Sequence, residues 1–218
     1  MRRGKLEKHN VIMQQDLLPL FPLRLVLLPG APVSLHIFEE RYKEMIGQSI
    51  QRKTEFGIVL AHDKGIVNTG CSAVVREVTQ KYDDGRMDIE ALGRRRFEVV
   101  SLNEEMEYLQ GAVEFFEDDD EQAPPLDLLA RITADYERLR GRNEEPDFGA
   151  GTKLSFRVAR LLDDIDVQQT MLGLRSETAR LKQLAGFLPA YVSRVMDTAR
   201  MRGLARGNGH NRRQAPPE

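Results

Sequence analysis

LLPLFPLRLVLLPGAPVSLHIFEERYKEMI, residues 17–46, is the stretch that decides the fold. It holds three short apolar runs, at 17–21, 25–28 and 33–38, separated or interrupted by Pro19, Pro22, Pro29 and Pro32. Proline has no N–H to give a central ladder and fixes φ, so the runs are predicted as short strands joined by bends, with sheet edges at the prolines. Pro29-Gly30 is predicted as a type II turn, because glycine tolerates positive φ at the third turn position. A helix follows at once. Phe38, Tyr42, Met45, Ile46 and Ile50 fall at helical spacing, while Glu39, Glu40, Arg41, Lys43, Glu44 and Gln48 cover the other sides.

Outward from this seed the pattern stays at period two. EFGIVLAH (55–62) reads as a buried strand and Asp63-Lys64-Gly65 as a turn. A long strand is predicted over 72–82. Asp83-Asp84-Gly85 is its hairpin turn, since Asp-Gly supplies the positive φ that tight hairpins require. The return strand is 86–92, and Gly93 allows a bulge or bend before a strand at 95–101. Another strand is predicted over 109–116. Six or seven short strands with turn signals between them read as a closed or nearly closed β-barrel.

EDDDEQAPP, 117–125, breaks the pattern: five acidic residues and two prolines predict a solvated linker. Beyond it the period becomes 3.6. A helix over 126–140 would bury Leu129, Ile132, Tyr136 and Leu139, and 141–151 reads as a polar loop. Thr152, Asp166 and Ser176 are each placed to cap a following helix. The last is long, with Leu181, Leu184, Leu188, Tyr191, Val195 and Met196 inward, and Pro189 should kink it or split it at Leu188.

Composition is that of an ordinary globular chain, with 41% hydrophobic and 30% charged residues and a formal net charge of −2, so no global charge steers it to nucleic acid or membrane. Cys71 is the only cysteine, which rules out an internal disulfide and fits a cytoplasmic setting. The basic N-terminus lacks the apolar core of a secretory signal, and no run long enough to span a membrane is present.

Catalytic patterns are missing. Gly149-Ala150-Gly151-Thr152-Lys153 imitates a phosphate-binding loop, but its spacing is wrong and no strand precedes it. His9, His36, His62 and His210 are scattered, so no metal site is expected, and no cofactor. His36 is read as a polar residue on the solvated face of the barrel or hydrogen-bonded beside the helix, Cys71 as a small semi-buried residue with no base beside it, and Asp118 to Glu121 as solvated. Arg94, Arg95 and Arg96 are candidate nucleic-acid contacts, but adjacent arginines on a strand alternate in direction, and acidic residues flank the hairpin.

The ordered set LPLFPLR (18–24), VLLPG (26–30) and LHIFEERY (35–42), followed by Gly93-Arg94-Arg95-Arg96-Phe97 after a hairpin, resembles the amino-terminal domain of Lon proteases over roughly residues 16–200. In character it is similar to the stand-alone bacterial members, which lack the ATPase and protease domains. The resemblance implies an α+β fold, a PUA-like β pseudo-barrel with one amphipathic helix followed by a helical bundle. The expected division is a frayed extension at 1–15, the barrel domain at 16–118, an acidic linker at 119–125, a helical domain at 126–202 and a disordered basic tail at 203–218. The implied role is non-catalytic recognition of unfolded or exposed polypeptide in proteolysis. A sheet edge left open by prolines can accept an extended strand, and a groove between the barrel and the helices can hold polypeptide, with Phe21, Phe38 and Tyr42 as the candidate lining of that groove. Expected partners are polypeptide, a separate protease or chaperone, and a second copy of the chain, with no membrane. The alternatives are an RNA-binding PUA-like module using Arg94 to Arg96, and an enzyme whose site the sequence does not reveal.

Overall fold

The computed structural model describes residues 17–120, 122–141 and 147–207. The expectations for 1–15 and for most of the tail lie outside these residues. The described chain is α+β, with six strands and five helices. In order these are β1 (Leu18–Leu23), β2 (Pro32–Ile37), α1 (Glu40–Arg52), β3 (Phe56–His62), β4 (Gly65–Lys81), β5 (Met87–Asn103), β6 (Gln110–Phe116), α2 (Leu126–Arg140), α3 (Leu154–Arg160), α4 (Ile165–Gly173) and α5 (Glu177–Gly207).

β5 organises the sheet. One of its edges pairs with β4; the other pairs with β2 near its start and with β6 near its end. The ladder β5-β4-β3-β1-β6 returns to β5, so five strands close into a barrel and β2 flanks it outside the ring. β1 runs parallel to β3, and the other pairs are antiparallel. The prolines of β1 fit this arrangement. Leu20 donates its N–H to Leu109 O on the β6 side. By alternation Pro22 faces that same side, beyond the last β1–β6 pair, so its missing N–H interrupts no ladder bond there.

Phe97 plugs the barrel, fully buried with Leu18, Leu20 and Val59. Glycines make room for its ring: a Cβ on Gly57 would stand 2.7 Å from the ring, and one on Gly70 2.5 Å. The two strands expected over 86–101 are one strand with a bulge. The β4–β5 register slips between Cys71 and Ala73, which leaves Arg94 and Arg95 opposite Ser72. Ser72 Oγ takes up the disturbed backbone by accepting from Arg95 N at 3.1 Å.

The segment 25–28 is not a strand. Val26, Leu27 and Leu28 are all buried, on more sides than a strand of period two can bury, and they cross between barrel and helices. The turn after them is as expected: Ala31 N bonds Leu28 O at 3.0 Å and Gly30 has φ +74. On α1 the buried face is Tyr42, Met45, Ile46 and Ser49. Ile50 is exposed, and Phe38 precedes the helix on its N-terminal side. The hydroxyl makes Ser49 tolerable there by bonding Met45 O within the helix.

Among the helix caps, Ser176 acts as expected, its Oγ accepting from Ala179 N at 3.1 Å. The cap of α4 is Asp164 rather than Asp166, with its carboxylate on Val167 N. Thr152 does not cap α3, because its hydroxyl turns back to Gly149 O. α5 runs unbroken through Pro189 to Gly207, past the expected end at 202, and Met196 is exposed rather than inward. Barrel and helices form two lobes with one hydrophobic core, which runs from Phe21, Ile58 and Ala73 through Leu28 to Tyr136, Phe156 and Leu184.

Candidate functional site

The outer edge of β2 is unpaired among the described residues. Gly93 N donates to Ala31 O, so along the antiparallel ladder Val33, Leu35 and Ile37 turn their backbone groups to β5, while Pro32, Ser34 and His36 turn theirs outward. Pro32 thereby loses nothing by lacking an N–H. Ser34 and His36 leave donors and acceptors at an exposed edge.

Phe38 ends this edge and is 59% exposed. Its ring stacks on His36 at 5.9 Å, and Tyr82 meets His36 edge-on at 5.9 Å. Asp88, directly opposite His36 in register, holds the group together. His36 Nδ1 lies 2.5 Å from Asp88 Oδ1, and Tyr82 donates its O–H to Asp88 Oδ2 at 2.8 Å. The His36 bond, then the Tyr82 bond, holds the Asp88 carboxyl below the usual carboxylate range. His36 is thus on a solvated face as expected, but it anchors an aromatic cluster that the sequence did not bring together.

Phe21 and Tyr42 do not join Phe38. They pack on each other in the core with ring centroids 4.1 Å apart, both less than a tenth exposed. Of the three residues expected to line a groove, only Phe38 is exposed, and it stands at the end of β2.

Arg94, Arg95 and Arg96 all border one cavity between the barrel and the helices, but their guanidinium groups are engaged differently. Arg95 lies over the Phe115 ring at 3.7 Å and donates to Glu55 at 3.0 Å. Arg96 is buried, donating to Leu174 O at 2.5 Å and to Asp118 at 2.7 Å. Arg94 is exposed and faces a cavity of about 450 Å³ between the lobes.

Asp118 corrects the solvated reading of the acidic run: its side chain is 4% exposed. It accepts from Arg96 on β5, from Arg180 on α5 at 2.6 Å through both oxygens, and from Lys153 at 2.5 Å. Arg180, itself fully buried, also binds Glu177, which accepts in turn from Ser155. Burial alone would raise the Asp118 pKa. The bonds from Arg180 and Lys153 and the charges of Arg180 and Arg96 outweigh it and hold the carboxyl far below its ordinary range. A carboxylate so fully donated cannot serve as a general acid or base near neutrality. Cys71 is buried rather than semi-buried, and burial pushes its thiol up to about 12, which makes it a poor nucleophile. Among the described residues no group of three His, Cys, Asp or Glu could hold a metal, and no helix is long and apolar enough to cross a membrane.

Comparison with known proteins places the chain. The family model described as the ATP-dependent protease La (LON) substrate-binding domain matches residues 17–193. A Lon protease of Parabacteroides distasonis is 29% identical over 112 residues, which is 47% of this chain and 14% of that relative's length. The crystal structure of a Lon N-terminal domain protein from Xanthomonas campestris superposes with a TM-score of 0.66 at 27% identity, covering 79% of this chain and 99% of the other. The N-terminal domain of a Mycobacterium avium complex Lon protease shares the fold, with a TM-score of 0.51 at 16% identity over 80% and 98% of the two chains.

Proposed function

The chain belongs to the LON substrate-binding domain family, and we propose that it binds unfolded or exposed polypeptide segments in the service of proteolysis without doing chemistry itself. The observation that supports this most is the unpaired outer edge of β2 ending in exposed Phe38. An extended segment added there gains backbone hydrogen bonds from Ser34 and His36 whatever its sequence. The Phe38–His36–Tyr82 cluster adds a flat apolar contact that favours aromatic or aliphatic side chains. Together these suit a receptor that must accept many sequences. The partner we infer beyond the polypeptide is a separate protease or chaperone. The inferred setting is the cytoplasm, which suits a chain whose single cysteine has no internal partner.

Fluorescence anisotropy with a labelled, permanently unfolded protein tests this. Binding with a Kd of about tens of micromolar is expected, roughly −6 kcal/mol. Ser34→Pro, which deletes an outward N–H without touching the β5 ladder, should weaken it at least fivefold, and so should Phe38→Ala. No binding at 100-fold higher protein, or binding indifferent to both substitutions, sinks the proposal.

A further inference from the structure

The bulge at Arg94 and Arg95 sits where one edge of β5 passes from β2 to β6: Leu92 pairs with Pro32, and Arg96 with Phe116. The cavity of about 450 Å³ opens at this gap, within the ~300–1,000 Å³ usual for small-ligand pockets. Its walls include Arg76, Arg94, Lys153 and Glu117, with apolar surface from Leu92 and Phe156. The Gly149-Ala150-Gly151 loop closes another side and is fastened to the barrel by Gly149 N on Gly30 O at 2.8 Å.

The cations differ in what they have left to give. Arg76 is paired with Asp147 at 2.8 Å, and Lys153 is held by Asp118. Thr152 spends its hydroxyl on Gly149 O. Arg95 and Arg96, which also line the cavity, are held by Glu55 and Asp118, so of the cavity's cations only the Arg94 side chain has neither an acid partner nor a hydrogen bond among the described residues. Its guanidinium carries five N–H donors in a planar fork that matches one carboxylate through two parallel bonds. A single free fork beside apolar surface fits a carboxylate on a small apolar group better than a polyphosphate, which would need the lysine and hydroxyl already committed.

Position adds direction. Pro29 and Gly30, which line the cavity, lead straight into β2, and Phe38 stands at the other end of that strand. Six residues at about 3.3 Å each separate the two by roughly 20 Å. A chain laid on the outer edge antiparallel to β2 passes Phe38 first and brings its C-terminal end to the Pro29-Gly30 rim of the cavity that Arg94 also lines. We propose that this cavity is a carboxylate subsite, with Arg94 receiving the C-terminal carboxylate, or an Asp or Glu side chain, of the bound polypeptide. The proposal rests on the polypeptide-binding reading above and adds an anchor to it.

Two measurements keep the proposals apart. In anisotropy on the full chain, a fluorescein-labelled apolar decapeptide with a free C-terminus is compared with its C-terminal amide and with the amide carrying an internal glutamate. The free acid should bind at least fivefold tighter than the amide, and Arg94→Ala should abolish that gap, while Ser34→Pro weakens all three peptides alike. If the glutamate peptide matches the free acid, side-chain carboxylates are a source; if it matches the amide, the terminus is. Equal binding of acid and amide, or a preference that survives Arg94→Ala, overturns the subsite. If no peptide binds, the edge reading has failed, and the cavity is judged by titrating N-acetyl-leucine and N-acetyl-leucinamide against the amide resonances of Gly93 and Gly151. Shifts with the acid only, lost in Arg94→Ala, support the subsite. Shifts with both or neither overturn it, as does inorganic phosphate competing at lower concentration than the acid.

Discussion

Arg180 and Asp118 meet side by side, with Nη1 on Oδ1 and Nη2 on Oδ2, each at 2.6 Å. The pair ties α5 to the segment that leaves the barrel at β6, and Arg96 brings in β5. Removing one partner of a buried pair leaves the others charged and unmatched, which costs about 3–5 kcal/mol. Asp118→Asn should therefore lower the chemical-denaturation stability by that amount, because buried Arg96 loses its counter-charge and buried Arg180 is left with Glu177 alone. A loss below 1 kcal/mol would mean that water already reaches the network.

The same carboxylate sets a pH dependence. Its folded pKa is depressed, so its contribution is fully present above the unfolded value of about 3.9 and is lost as pH falls toward the folded value. Wild-type stability should decline below about pH 4 more steeply than that of Asp118→Asn. Asp84 and Asp88 are lowered as well, but they titrate in both proteins and cancel in the difference. Urea midpoints between pH 2.5 and 7 check this; parallel profiles would remove Asp118 as the cause.

Phe97 and Gly57 should behave as one unit. Phe97→Ala empties the middle of the barrel and should cost about 3–5 kcal/mol. Gly57→Ala drives a methyl into the Phe97 ring and the Leu20 side chain and should cost about 1–3 kcal/mol. Phe97→Leu shortens the side chain at the point of collision, so Gly57→Ala should cost less on that background. Strict additivity in the double-mutant cycle would show that the barrel yields elsewhere.

How far the sequence could be read follows from the range of each signal. The Pro29-Gly30 turn, the Asp-Gly hairpin and the Ser176 cap are local chemistry, and each lies where its residues put it. The ordered motifs from Leu18 to Tyr42 carried the family and, through it, the fold. Asp118 could not be read in this way. A carboxylate in an acidic run looks solvated until topology brings it Arg180 from 62 positions away. Phe21 and Tyr42 looked like Phe38 because all three are aromatics close to a proline-marked edge. The side each takes depends on which face of β1 and α1 the core covers. Arg94 to Arg96 were legible as alternating, but the bulge at Arg94 and Arg95 depends on a register slip against Ser72.

Pro189 and Arg131 provide a last test. Inside α5, Pro189 has no N–H to give Ala185 O four residues back, and an interior proline costs about 3 kcal/mol or more. Arg131 reaches across from α2 and donates its Nη2 to that same carbonyl, replacing the missing bond with a charged donor. This accounts for a helix that continues through a proline expected to kink or split it. Arg131→Ala should thus cost about 1.5–3 kcal/mol, as for a hydrogen bond from a charged group. Pro189→Ala restores an N–H at the carbonyl and should raise stability by about 1–3 kcal/mol. On that background Arg131→Ala should cost less than half as much, because the acceptor now has its helix partner. Thermal and urea denaturation of the four proteins of the cycle measure the coupling. If Arg131→Ala costs the same with and without Pro189, the arginine acts by packing along α5 rather than by mending the helix.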